Sequence, residues 1–77
     1  FMKTYTVEAV EKLMKYYLKL GGEVNIIKDG SLTSYGLVVM RAKGKKFCIA
    51  REVYLNEWSS GLSVRFYNKL PKKYNKY

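Results

Sequence analysis

Histidine is absent from this 77-residue chain, and cysteine, proline and tryptophan occur once each. Without histidine the usual general base near neutral pH is missing, and a tetrahedral zinc site cannot be assembled around Cys48 alone. A single cysteine also rules out an internal disulfide, so a reducing cytoplasm is the expected compartment. The glycines, at 21, 22, 30, 36, 44 and 61, match neither a phosphate-binding loop nor a dinucleotide fingerprint. No metal or cofactor is expected. Uninterrupted apolar runs, such as Leu37–Met40, stop far short of the roughly 20 residues that a membrane span needs.

Negative charge is scarce as well. Six acids stand against fifteen lysines and arginines, leaving a formal charge of +9. The excess has two addresses. Arg41, Lys43, Lys45, Lys46 and Arg51 contribute +5 within residues 41–51, and Lys69, Lys72, Lys73 and Lys76 contribute +4, with no acid in either stretch. Elsewhere the signs cancel. Clustered positive charge of this kind is the footprint of a protein that meets nucleic acid or another polyanion, whereas the bland reading is a surface kept soluble by its charge.

What is present suffices for a core: 48% of residues are hydrophobic and 16% aromatic, and one small domain over residues 1–77 is expected. Phe1 stands ahead of Met2, which reads as the initiator, and is set aside as an added residue. Thr6 is placed to cap a helix, Glu8 and Glu11 suit its positive end, and Gly21-Gly22 suits its stop. The pairs Glu8/Lys12 and Glu11/Lys15 give that helix a solvated face.

Strands follow. Glu23–Lys28 carries Val24, Ile26 and Ile27, and Asp29-Gly30 is a turn signal after it. Leu37–Ala42 and Lys46–Tyr54 flank a short basic turn and predict a hairpin. With Lys43-Gly44 as a two-residue loop, Arg41 would lie opposite Lys46 and Met40 opposite Phe47. Val38, Met40, Phe47, Ile49 and Val53 would then face the helix, leaving Leu37, Val39, Cys48 and Ala50 on the second face. Leu55–Gly61 reads as a loop, Leu62–Tyr67 alternates as a half-buried strand, and Pro71 halts it. The expected fold class is α+β, one N-terminal helix on an antiparallel sheet of three to four strands, with residues 68–77 as a basic arm of slack character.

Candidate anion-binding residues are Arg41, Lys43, Lys45 and Lys46 at the hairpin tip, Arg65 if its strand lies alongside, and Lys72 and Lys73 in the arm. Tyr67, Tyr74 and Tyr77 are interleaved with the arm's lysines, a pairing that single-strand binders use. The expected partner is nucleic acid or an acidic protein, and the module is read as non-catalytic. "KGKKFCIA" at residues 43–50 departs from the stacking strand of an RNA-recognition motif, since Lys45 and Ala50 occupy aromatic positions.

Two alternatives have named residues. A protein-interaction or homodimer surface would use Trp58, Leu37 and Val39, because one helix does not cover both faces of a sheet. A histidine-free ribonuclease would use Arg41, Lys46, Arg65 and Tyr67 to stabilise charge on phosphate. Cys48, mid-strand and without a base, reads as a buried small hydrophobe, and Glu52 and Glu57 as surface charges.

Overall fold

A computed structural model describes residues 4–29 and 32–77; Phe1 and the Gly30 half of the Asp29-Gly30 turn lie outside them. Helix α1 spans Val7–Lys19, and the Thr6 hydroxyl accepts the Ala9 N–H at 3.1 Å, as a capping residue should. Its other end closes by two bonds. Gly21, at φ +79°, donates to the Leu18 carbonyl, and Gly22 donates to the Tyr17 carbonyl, both at 3.0 Å. That is the Schellman arrangement, and it needs a residue free to take a left-handed backbone at the first position.

Four strands follow: β1 Glu23–Ile27, β2 Leu37–Arg41, β3 Phe47–Asn56 and β4 Ser59–Tyr67. They form one open antiparallel sheet in the order β1-β2-β3-β4, so the fold is α+β with a single helix layer. Val10, Met14 and Tyr17 of α1 pack on Val38, Met40, Cys48, Ala50 and Leu62. Gly22 is the tight point of the frame. A Cβ there would sit 2.1 Å from the Arg41 carbonyl oxygen, so only glycine lets the helix exit lie against the end of β2.

The β2–β3 register differs by one residue from the expected one. Met40 pairs with Cys48, Val39 with Ile49 and Val38 with Ala50. The cause is the handedness of the turn. Tight two-residue hairpins require positive φ at their first central residue, here Lys43. Among the described residues only Gly21 and Gly44 have positive φ, and the Ala42 carbonyl accepts from Lys45 N–H at 3.0 Å. Lys43 keeps an ordinary backbone, the turn takes positive φ only at Gly44, and the strands rejoin one residue later. Because side chains alternate, that slip turns β3 over. Cys48 and Ala50 face the helix, and Phe47, Ile49 and Val53 face away.

The expected loop over Leu55–Gly61 is not a loop. β3 continues to Asn56, β4 starts at Ser59, and Glu57-Trp58 is the turn, with Trp58 N–H donating to Asn56 Oδ1 at 2.8 Å. Leu55 is the extra residue of a bulge between Tyr54 and Asn56. Polar residues misled here because this ribbon outruns the helix, and a strand with no core beneath it does not need apolar alternation. At Leu62 the chain ahead of α1 joins β4, through paired bonds with Tyr5 of 2.7 and 3.2 Å.

The second sheet face is covered by the tail. Val39 (0% exposed), Ile49 and Tyr74 (6%) form a second buried cluster, flanked by Leu37, Tyr67, Leu70 and Tyr77. After Pro71 the chain makes a 3-10 turn at Lys72–Tyr74, and Tyr77 N–H returns to the Tyr74 carbonyl at 3.1 Å. The Arg41 guanidinium donates to the Tyr77 carbonyl oxygen and lies 5.6 Å from the Phe47 ring centre. The arm is therefore packed and not slack. Its lysines face water while its aromatics meet the sheet. Leu37 and Val39 lie beneath it, which removes the reason for inferring self-association over that face.

Candidate functional site

Opposed residues of paired strands share a face, so the pairs Ile49/Arg65 and Arg51/Ser63 set all four side chains on the tail side of the sheet. Ile49 is buried there and anchors the floor. Lys73 arrives from the 3-10 turn, its Nζ 5.1 Å from the centre of the buried Tyr74 ring. Between tail and sheet these residues border a half-open cavity of about 310 Å³. Arg51, Arg65 and Lys73 line it with Ser63 and Tyr67, over a floor of Ile49 and Val53 and beside Tyr74. Among the described residues, no aspartate or glutamate is in the lining.

A neighbouring cavity of about 290 Å³ shares Arg51, Lys73 and Tyr74 and adds Lys76 and Tyr77, again with no aspartate or glutamate among the described residues. Four cations thus border one continuous strip beneath and beside the tail. All four are exposed, and the ammonium groups of Lys73 and Lys76 lie 5.1 and 5.2 Å from the ring centres of Tyr74 and Tyr77. An anion here would meet guanidinium groups held by two adjacent strands and an ammonium held by a buried tyrosine.

Of the sequence-predicted residues, this strip unites Arg65 and Lys73. Lys72 is exposed on the same 3-10 turn, outside the lining of either cavity. Lys43, Lys45 and Lys46 remain at the β2–β3 turn, all exposed. Arg41 shares a groove with Lys43 but is otherwise engaged. It is half-buried, occupied with Tyr77 and Phe47, and on the observed register faces Phe47, so the expected Arg41–Lys46 pair does not form. Its Nε is buried with no partner among the described residues. The groove beside that turn also admits Glu23, which makes it a poorer seat for an anion than the tail strip. The four residues of the ribonuclease alternative are split, Arg65 and Tyr67 in the cavity lining and Arg41 and Lys46 outside it.

Arg51 is the residue that sequence reasoning missed. On the expected register it shares a face with Phe47 and Ile49 against the helix, where no anion could reach it. The one-residue slip brings it to the tail side. The signal available was the glycine of Lys43-Gly44-Lys45: a lysine before it disfavours the tight loop on which the expected register rests.

The remaining reactive groups are committed to the fold. Cys48 is fully buried (0% exposed), and burial pushes its thiol up to about 11, as befits a core residue and not a nucleophile. Glu52 is more than a surface charge. Partial burial pushes its carboxyl up, but hydrogen bonds from Thr33, Leu32 and Tyr54 outweigh that and hold it below the usual carboxylate range. Its oxygens take Thr33 N–H at 2.7 Å and Leu32 N–H at 3.1 Å, pinning the segment before β2. Tyr35 donates to Glu11 Oε2 at 2.7 Å and ties the same segment to α1.

Trp58 is not part of the strip. It is 86% exposed at the β3–β4 turn, next to the exposed Tyr54 and Leu55. Among the described residues, no helix is long and apolar enough to cross a membrane. Compared with known proteins, the chain matches no family model, no curated protein and no solved structure. The functional reading rests on the geometry of the tail strip.

Proposed function

We propose that this protein is a non-catalytic module that binds the phosphates of nucleic acid through the strip between the tail and the β3–β4 face. The observation that carries this reading is the meeting of Arg51, Arg65 and Lys73 around one cavity with no aspartate or glutamate in its lining among the described residues. Guanidinium groups suit phosphate because they offer planar, paired donors, and charge-assisted bonds of this type are about twice as strong as neutral ones. Tyr67 and Tyr77, packed on the second cluster but partly exposed, line the cavities beside the cations, and the ring surface they leave open favours single strands, whose bases are free to meet it. Such contacts carry little base information, so binding is expected to be indifferent to sequence.

The test is equilibrium binding of short single- and double-stranded DNA and RNA at low and raised salt. Affinity that falls steeply with salt, with single strands preferred, is the expected result. Undetectable binding at low salt, or affinity flat with salt, contradicts it.

A second reading has its own observation. Trp58, Tyr54 and Leu55 form an exposed apolar tip, the composition of an anchor for a protein partner. Sedimentation and Trp58 fluorescence on dilution test it: a concentration-dependent change supports self-association through the tip, and a constant monomer with constant emission removes that form of it.

A further inference from the structure

We infer that the cavity beneath the tail seats a terminal phosphate monoester of a nucleic-acid strand, in preference to an internal diester. The inference rests on the phosphate-binding reading above and sharpens it. Its first ground is arrangement. A groove that tracks a backbone presents cations in file along an open path, whereas Arg51 from β3, Arg65 from β4 and Lys73 from the tail reach one cavity from three segments. The buried Ile49 and Tyr74 complete the lining.

The second ground is charge. Three uncompensated cations face whatever enters, and Ser63 and Tyr67 add hydroxyl donors. A diester offers one negative charge and two unbridged oxygens; a monoester offers close to two charges at neutral pH and three such oxygens. The monoester's additional oxygen and nearly doubled charge let both guanidinium groups and the ammonium each meet an oxygen of their own. The third ground is the way out. The adjoining cavity shares Arg51, Lys73 and Tyr74 and continues to Lys76 and Tyr77, so the strand behind a seated phosphate has a cationic, ring-lined path to follow.

The experiment compares one short single-stranded oligonucleotide carrying a 5′-phosphate, a 3′-phosphate or only hydroxyl ends, titrated into the full chain at fixed salt. At least one phosphorylated form is expected to bind about tenfold more tightly than the hydroxyl form, the size of one additional charge-assisted contact set. A preference for one arm identifies which end is read. The advantage should vanish in Arg51→Gln and in Arg65→Gln but persist in Lys45→Gln, at the distant β2–β3 turn. Circular dichroism confirms that each variant is folded, and all three positions are exposed.

Among the described residues, the cavity's charged and titratable side chains are Arg51, Arg65, Lys73, Tyr67 and Tyr74, with Lys76 and Tyr77 adjoining; none is histidine, aspartate or glutamate. Loss of the advantage between about pH 7 and pH 5 would therefore follow the ligand's own second proton, which titrates near 6. Equal affinity for phosphorylated and hydroxyl ends, with salt-dependent binding intact, overturns the inference and leaves the phosphate-binding reading standing. No binding to any form overturns both.

Discussion

Gly21 and Gly22 adjoin in sequence but are glycine for different reasons, and their alanine variants should separate them. Gly21 has open space around it and needs only its positive φ, so Gly21→Ala should cost about 1 kcal/mol. At Gly22 a methyl group would collide with backbone at 2.1 Å, so Gly22→Ala must move the helix exit off β2 and should cost well over about 2 kcal/mol. Urea denaturation of the two variants checks the order. Glu52 makes a pH prediction. Its folded-state pKa is depressed, so its stabilising effect is complete above the unfolded value of about 4.3 and is lost as pH falls through the lower folded value. Glu52→Gln should be less stable than wild type at neutral pH, and the gap should close in that acidic window. Chemical denaturation at neutral and acidic pH reads it directly.

At the scale of elements, the helix was legible almost to its last bond, because Thr6 and Gly21-Gly22 act locally and depend on nothing distant. The four strands were partly legible. Hydrophobic content revealed Leu37–Arg41 and Phe47 onward, but register depends on turn geometry, and a single lysine's reluctance to adopt positive φ decided which face of β3 met the core. The β3–β4 ribbon escaped notice because it carries polar residues where it outruns the core. The tail was misjudged for a related reason. Its lysines dominate its composition, while Leu70, Tyr74 and Tyr77 dominate its packing. Tyr74→Ala should therefore behave as a core truncation, costing about 3 kcal/mol, a large part of a small domain's margin. Thermal melting and hydrogen exchange at Val39 and Ile49 check it; unchanged protection there would mean that the tail does not cover the face.

At the scale of the whole molecule, the sequence disclosed how much positive charge there is and along which stretches, but not which side of the fold it occupies. The two linear clusters, centred on the β2–β3 turn and on the tail, join only in part: Lys43, Lys45 and Lys46 stay at the turn, outside the cavity linings beneath the tail. A third grouping takes one arginine from the first stretch, Arg51, one lysine from the second, Lys73, and Arg65 from a region whose charges cancel in sequence. Such a set is invisible until register and tail docking are known. The packing that stabilises the second face and the geometry that gathers the cations are one feature, so loss of Tyr74 should also weaken anion binding even where the chain remains folded.

The most direct test of this account is the slope of log affinity against log salt for a short single strand, measured for wild type, Arg51→Ala/Arg65→Ala and Lys43→Ala/Lys45→Ala. Removing one cation that pairs with a phosphate should flatten the slope by about 0.7, so the strip variant should flatten it by about 1.4 and the turn variant markedly less. A strip variant with the wild-type slope, or a turn variant that flattens it as much, would contradict the claim that the tail-side face is where phosphate binds.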